Sequence, residues 1–131
     1  MVSLFDTNVL TAALEQRHPH HDRAFPWLIK AKNKDLELHL SNHTLGELYS
    51  SLTSLPVVPQ PTPAQTHELV EQIFAFCTVV SMNAEGYRRA LARGQNSKLT
   101  GPRIFDAIIA QAALEIEAEQ LVTFNEKHFR G

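Results

Sequence analysis

The sequence predicts an α/β domain with a central, mainly parallel sheet that helices cover on both faces. Short apolar runs such as Val2–Phe5 alternate along the chain with longer stretches whose apolar residues recur at steps of three and four. Hydrophobic residues make up 44% of the chain and charged residues 20%, which is typical of a packed globule and excludes a disordered regulator. A length of 131 residues suits one domain, and we expect a single domain over 1–131.

The first half of the chain predicts two strand–helix units. Pro26 lies within the second helical stretch and must either kink that helix or mark its true start. Thr44 and Glu47 form the Thr-x-x-Glu pattern of a capping box at the start of the next helix. The predicted elements are a strand over 2–5, helical spacing through Val9, Leu10, Ala13 and Leu14, a helix over 21–34, a strand over 36–40 and a helix from about Thr44 to Leu55.

The second half begins with a proline-rich stretch. Four of the seven prolines fall in Pro56–Pro63, which excludes regular structure until Thr62-Pro63-Ala64-Gln65, a capping-box pattern with proline at the first helical position. The elements predicted after it are a helix to about Phe76, a strand over 77–81 and a helix that Asn83 caps and Gly94 stops. A polar loop over 95–101, a long helix opened by Thr100 and Pro102, and a strand over 121–124 follow. The long helix has an apolar stripe of Phe105, Ile108, Ile109, Ala112 and Ile116.

Four oxygen-bearing side chains fall where predicted strands end or predicted helices begin: Asp6, Glu47, Asp106 and Asn125. In a parallel α/β sheet these ends meet at one edge, which is where such folds bind ligands. Each residue also has a local explanation in helix capping, or in pairing with a neighbour such as Arg103. Capping does not require carboxylates from distant parts of the chain to meet at one edge, so the set favours a shared site.

Three clustered carboxylates repel one another unless a positive charge lies among them. Mg²⁺ and Mn²⁺ supply that charge, prefer oxygen ligands and activate water. Three carboxylates and one scissile phosphodiester carry about four negative charges, which balance two divalent ions in a hydrolytic site. We therefore expect Mg²⁺ as the cofactor, with Mn²⁺ as a substitute.

Four motifs carry a resemblance to a known family, and they cover nearly the whole chain. In order and spacing they resemble PIN-domain ribonucleases, most closely the VapC-like toxins of type II toxin–antitoxin pairs. Four motifs in order are far more specific than Asp-Thr-Asn alone. The motifs are Leu4-Phe5-Asp6-Thr7-Asn8-Val9-Leu10, Ser41-x-x-Thr44-x-x-Glu47-Leu48, Phe105-Asp106-Ala107-Ile108-Ile109-Ala110 and Leu121-Val122-Thr123-Phe124-Asn125-x-x-His128-Phe129.

The resemblance implies a metal-dependent endoribonuclease with a PIN-like α/β/α sandwich. Asp6, Glu47 and Asp106 match the family's three acidic metal-site positions, and Asn125 falls where many members carry a fourth acid. All four are candidate catalytic and metal-binding residues. The family's last edge strand is expected to be missing here. The resemblance also implies a homodimer, and a small antitoxin whose apolar helix and basic tail cover the groove and the acidic site.

RNA binding by this chain needs a local basic surface, because the formal net charge is −2. The segment 85–103 holds one acid and five basic residues, a local net charge of +4 that leads directly to Asp106. We expect it to follow the RNA backbone. A second basic run, 30–34, is expected to be a solvated helix face. The candidate RNA-binding residues are Arg88, Arg89, Arg93, Lys98 and Arg103.

The remaining signals are weaker. Cys77 is the one cysteine, so no internal disulfide can form, and we expect it in the core of a soluble, cytoplasmic protein. The longest nearly apolar stretch is about half of what a membrane-spanning helix needs, so no membrane partner is expected. His18, His20 and His21 look like a metal-binding tract, but a surface position is more typical of histidines beside a proline.

Three other functions share part of this pattern. A haloacid-dehalogenase-like phosphatase needs a second acid two residues after Asp6, where this chain has Asn8. A receiver-like signalling domain needs an acidic pair before the first helix, and none is evident. A PIN-like domain that binds RNA or a partner without cutting stays open, because Asn125 is an amide where the family often has an acid.

Overall fold

A computed structural model of the chain describes residues 1–125 and Phe129. Its strands, within these residues, are β1 (Val2–Phe5), β2 (Glu37–Ser41), β3 (Cys77–Val80) and β4 (Gln120–Val122). They form one sheet in the order β3-β2-β1-β4, and every pairing is parallel. The predicted parallel sheet is confirmed. His128, part of the fourth motif, lies outside the described residues.

Helices connect the strands and cover the sheet. A 3₁₀ turn at Gly101–Arg103 directly precedes the last helix. Over the described part of the chain, no helix is both long and apolar enough to cross a bilayer. The helices are α1 (Thr7–Leu14), α2 (His21–Lys32), α3 (Asn42–Thr53), α4 (Pro63–Phe74), α5 (Ala84–Asn96) and α6 (Ile104–Glu115).

The sheet separates two hydrophobic cores. Successive side chains of a strand point to opposite faces, and the last two residues of β1 show the result. Phe5 packs into a core with buried residues of α1, α2, α3 and α4, whereas Leu4 packs into a second core with residues of α5 and α6. The α/β/α sandwich is therefore confirmed, with α1–α4 in one layer and α5–α6 in the other.

Two predicted helix starts are confirmed, but α3 and α6 begin at other residues. Helix α6 begins at Ile104, after the 3₁₀ turn, and not at Thr100 or Pro102. Thr62 and Gln65 form both bonds of the capping box of α4, and the Asn83 side chain caps α5. Helix α3, however, begins at Asn42 and is capped by Ser41. The predicted capping box at Thr44 is therefore wrong. Glu47 consequently lies in the second turn of α3 and not in the first.

Gly94 does not end α5, as the sequence predicted, because the helix continues to Asn96. Gly94 is buried, and a Cβ atom added there would require the end of the Ile104 side chain, at the start of α6, to shift. The glycine thus gives the Ile104 side chain room between α5 and α6.

Smaller differences concern element ends. Pro26 lies inside α2, which begins at His21, so the proline does not mark the start of the helix. Strand β4 spans 120–122 and not 121–124. In the apolar stripe of α6, Ile108, Ile109 and Ala112 are buried, but Phe105 is exposed.

Candidate active site

Asp6 lies where the chain passes from β1 into α1. Its backbone N–H donates to the Val122 carbonyl at 2.9 Å, which extends the pairing of β1 with β4. The residue is only 6% exposed, and its Oδ2 accepts a hydrogen bond of 2.8 Å from Thr123 Oγ1. Although Asp6 occupies the N-cap position of α1, its side chain makes no capping hydrogen bond. Helix capping therefore does not explain this buried carboxylate.

Glu47 is positioned by hydroxyl groups at the junction of α1 and α3. Thr7 Oγ1 lies 3.1 Å from Glu47 Oε1 and 3.2 Å from Thr44 Oγ1. Since a hydroxyl has one proton, Thr7 can donate to the carboxylate while it accepts from Thr44. Both threonines are buried. The carboxylate of α3 is thus held by a side chain of α1.

His43 lies one helical turn before Glu47 and faces the same site. The His43 Nε2 atom is 3.4 Å from Glu47 Oε1. This nitrogen is buried and has no hydrogen-bond partner among the described residues. The imidazole stacks on Phe105 of α6, with ring centroids 4.7 Å apart and an angle of 27° between the planes. His43 therefore fills the space between the Glu47 carboxylate and the start of α6.

Asp106 lies in the first turn of α6 and is half-buried. Burial raises the pKa of Asp6 to about 6, although hydrogen bonds from Thr123 and the Thr7 backbone oppose the rise. The negative charges of Asp106 and Glu47 raise it further. The structure thus brings together three of the predicted acids, from β1–α1, α3 and α6, with Glu47 and Asp106 both close enough to repel the charge of Asp6.

The three carboxylates do not form a close group of ligands. Within the described ranges, no three His, Cys, Asp or Glu side chains form a group that could hold a metal ion. One oxygen of Glu47 accepts a hydrogen bond from Thr7. The chemistry of the three side chains still fits a hard divalent cation, which prefers carboxylate oxygens.

Asn125 and Asp6 are both hydrogen-bonded to the hydroxyl group of Thr123. The Asn125 backbone N–H donates to Thr123 Oγ1 at 2.9 Å, and the same hydroxyl donates to Asp6. The Asn125 side chain lines a groove that it shares with Asn8. Asn8 in turn accepts a bond of 3.4 Å from the Phe124 N–H. Asn125 is therefore at the predicted edge of the sheet, and metal binding by its amide stays a prediction.

The five predicted RNA-binding residues are all exposed, on the layer that carries Asp106. Arg88 and Arg89 lie 3.3 and 3.8 Å from carboxylate oxygens of Glu85, which offsets part of their charge. The other three lie further along: Arg93 in the last turn of α5, Lys98 in the loop after it and Arg103 in the 3₁₀ turn before α6. The basic segment thus leads from α5 to the N-terminus of α6.

Sequence reasoning missed the residues that position the carboxylates. Thr7 and Thr123 were each next to a predicted element end, and Thr44 was interpreted as a cap. His43 was not singled out, although its spacing of four residues from Glu47 places both on one helix face. For His43 and Thr44, the signal in the sequence was their helical spacing to Glu47, four and three residues, which places them on the same face of α3.

The remaining sequence candidates lie elsewhere. Cys77 is half-buried, packs against the first core and has its pKa raised by burial. In the histidine tract, His18 Nδ1 accepts from the His20 N–H at 3.0 Å, and His21 Nδ1 lies 2.8 Å from the Ala12 carbonyl oxygen. None of these contacts involves the carboxylates.

Comparison with known proteins places this arrangement in context. A family model described as the PIN domain matches residues 3–130. Ribonuclease VapC27 of Mycobacterium tuberculosis is 32% identical over 115 residues, which cover 87% of this chain and 78% of that protein. Ribonuclease VapC40 of the same organism is 28% identical over 116 residues, covering 88% and 81%.

Two solved structures share the fold at low sequence identity. The sarcin-ricin loop cleaving toxin VapC20 of Mycobacterium tuberculosis has a TM-score of 0.73 at 15% identity, with 96% of this chain and 92% of that chain covered. A toxin–antitoxin complex from Klebsiella pneumoniae has a TM-score of 0.66 at 22% identity, covering 98% and 91%. The order of strands and helices described above is thus shared with toxins of known structure.

Proposed function

The chain belongs to the PIN-domain family, and from this premise we propose that it is a metal-dependent endoribonuclease and the toxin of a toxin–antitoxin pair. The observation that carries the proposal is the buried Asp6 carboxylate, whose pKa is raised beside Glu47 and Asp106. Structural ion pairs lower the pKa of acids, whereas burial and, to a smaller extent, the two neighbouring carboxylates raise the pKa of Asp6. Such clusters are typical of functional sites.

Asp6, Glu47 and Asp106 are the proposed ligands of Mg²⁺, for which Mn²⁺ can substitute, and Asn125 is a proposed neutral ligand. PIN-domain ribonucleases generally use a divalent metal. The raised pKa of Asp6 fits this, because burial and the two neighbouring carboxylates both disfavour its negative charge, which a bound cation would stabilise. The chemistry that such an ion supplies is activation of water and neutralisation of charge on the phosphate and the leaving oxygen.

The protein's own contribution is positioning. Thr123 donates a hydrogen bond to one oxygen of Asp6 and Thr7 donates one to Glu47, so the protein restrains both side chains. Preorganised electrostatics of this kind accelerates phosphodiester hydrolysis without a protein nucleophile. Cys77 begins β3 and thus lies at the opposite end of the parallel strands, away from the carboxylates.

RNA is the proposed substrate, and the exposed basic segment 85–103 is its proposed backbone-binding surface. Phosphates attract Lys and Arg wherever they are clustered, even on a protein of net negative charge. The segment ends at the helix that carries Asp106, so a strand bound along it reaches the carboxylates.

A small antitoxin protein and a second copy of the chain are the proposed partners. The support is the likeness to VapC ribonucleases and the fold shared with a toxin–antitoxin complex. Expression of the chain alone should arrest growth, and co-expression of a small adjacent reading frame should restore it. Harmless expression with the carboxylates intact would contradict the toxin function but not the nuclease chemistry.

The nuclease is tested with purified protein and structured RNAs in Mg²⁺, Mn²⁺ or EDTA. We expect internal cleavage with either metal and none in EDTA. RNA binding without metal-dependent cleavage would instead support a non-catalytic PIN-like domain, the alternative that the amide at Asn125 favours.

A further inference from the structure

A groove of about 570 Å³ opens beside the carboxylates in the layer opposite the basic segment. Ser51 lies one helical turn after Glu47 on α3, and Thr11 lies one turn after Thr7 on α1. The groove therefore lies about one helical turn from the Thr7–Glu47 hydrogen bond that joins these helices. Its polar side chains include Asn8, Thr11, His18, His20, Ser51 and Ser54.

The lining is polar but carries no fixed charge. Among the described residues that line the groove there is no carboxylate, ammonium or guanidinium group. Burial and the neighbouring His20 and His21 lower the pKa of His18, which favours its uncharged form. A phosphate would find no Lys or Arg side chain among the described residues that line the groove. Amides, hydroxyls and imidazoles are instead matched to the donors and acceptors on the edge of a nucleobase.

An aromatic wall closes the groove on the side of β4. Phe124 lines it, and the His20 ring lies 5.2 Å from the Phe124 ring, centroid to centroid. The Arg23 guanidinium carbon lies 4.8 Å from the same Phe124 centroid and helps to fix the ring. Aromatic walls next to polar groups are how proteins bind single-stranded bases.

We propose that this groove binds one unpaired nucleobase of the RNA, next to the phosphate that is cut. The inference rests on the proposed ribonuclease function and adds the origin of base preference. The phosphates of the strand follow the basic segment on the α5–α6 layer, the base enters the neutral groove on the α1–α3 side, and the carboxylates lie between. Ser51 is the residue best placed to select the base, because its half-buried hydroxyl has no hydrogen-bond partner within residues 1–125 and Phe129.

The test is cleavage of a randomised single-stranded RNA pool, with sequencing of the new ends. Wild-type protein should show a base preference at one position beside the cut. Ser51→Ala should reduce that preference about two- to tenfold, the range for one hydrogen bond. Ser50→Ala is the matched control, since Ser50 is the exposed neighbour on α3 that does not line the groove. It should leave the preference unchanged.

Cleavage without any base preference, or a preference that Ser51→Ala leaves intact, overturns the inference and leaves the nuclease standing. The same holds if Ser51→Ala alters only inhibition by the antitoxin, because the groove would then bind protein.

Absence of cleavage with either metal refutes the proposed nuclease function. A second measurement then tests whether the groove binds a base. RNA carrying a single 4-thiouridine is photo-crosslinked to wild-type protein in EDTA. Crosslinks to peptides containing Ser51 or Phe124 support the inference, whereas crosslinks confined to 88–103 overturn it.

Discussion

The two helical layers of the sandwich contribute different chemistry to one site. The α1–α4 layer supplies Glu47, the threonines that hold it and a groove without fixed charge. The α5–α6 layer supplies Asp106 and the exposed basic segment. In a chain with a net charge of −2, the basic residues nearest to Asp106 along the sequence are grouped in one segment of the α5–α6 layer. We propose that attraction for RNA phosphate is strongest there, next to the carboxylates.

The layers also differ in how their carboxylates are fixed. Glu47 is bonded to Thr7 across α1 and α3, which pack in the same layer. Contact between layers at the site is made instead by the His43 ring on Phe105, next to Asp106. Stacked rings are less directional than hydrogen bonds. The distance between the Glu47 and Asp106 carboxylates therefore depends on packing between the two layers. Substitutions in one layer can test its carboxylate separately from the other.

The largest effect is expected from the carboxylate of the basic layer. Asp106→Asn preserves the shape of the side chain but removes its charge, so RNA cleavage should fall at least about a hundredfold, the order seen when one oriented electrostatic group is lost. RNA affinity should stay near wild type, because the basic segment is intact. Cleavage rates and filter binding measure the two properties separately.

Asp22→Asn is a control for Asp106→Asn, since Asp22 is an exposed first-turn acid of α2 in the other layer. It should cleave like wild type. Wild-type turnover by Asp106→Asn would remove the α5–α6 layer from the catalytic site.

Asp6, at the border of the two layers, should show a conflict between stability and function. Its pKa in the folded protein is about 6, against 3.8 as a model acid, so the folded state binds the proton more tightly than the unfolded state. Its contribution to stability is therefore complete at low pH and is lost as pH rises through about 6. At pH 8 without metal, Asp6→Asn should be inactive yet more stable than wild type by up to about 3 kcal/mol.

Denaturant unfolding in EDTA between pH 4 and 8 measures this difference. The gain in unfolding free energy for Asp6→Asn should shrink towards pH 4, where the wild-type carboxyl is protonated. A gain that is independent of pH would show that repulsion and burial of the charge are not its cause.

Much of this site was predictable because parallel sheets bring strand ends together. The positions of Asp6 and Asp106 follow from that rule and from an apolar pattern that marks the helix of Asp106. Helix α4 and its cap were predictable for a different reason. Both hydrogen bonds of the capping box lie within four consecutive residues, so the local sequence determines them.

The predictions that were wrong concern residues whose role is set by tertiary contacts. Thr44 matched a capping pattern, but burial against Thr7 of another helix gives its hydroxyl a different partner. Gly94 matched a helix stop, but it lies within α5, where the side chain of Ile104 packs against it. The neutral groove joins residues from three separate segments, and nothing in local spacing predicts which polar residues line one surface.

A smaller effect is expected at Asn125, where the neutral groove meets the carboxylates. An amide oxygen can bind a metal but adds no negative charge. Asn125→Ala should therefore reduce cleavage less than Asp106→Asn does, and Asn125→Asp should reach half-maximal activity at a lower metal concentration. Wild type should respond better to Mn²⁺ than to Mg²⁺. Metal titrations of all three proteins provide the measurement.

Two results would change the interpretation of Asn125. Equal inactivity of Asn125→Ala and Asp106→Asn would give the amide a role as large as a carboxylate. Cleavage gained only in Asn125→Asp would mean that the natural chain binds RNA without cutting it.

The smallest effect, and the one that separates the layers most directly, concerns the salt dependence of RNA binding. Arg93 and Lys98 are exposed on the basic layer, and each phosphate contact on single-stranded RNA contributes about 0.7 to the slope of log affinity against log salt. Replacing both with Gln should weaken binding at low salt and reduce that slope by up to about 1.4. Lys32 and Lys34 are a matched pair of exposed lysines in the opposite layer and the loop after it, so their replacement with Gln should leave the slope unchanged. If the second pair alone lowers the slope, the RNA backbone lies on the α1–α4 layer, and the division of chemistry between the layers is reversed.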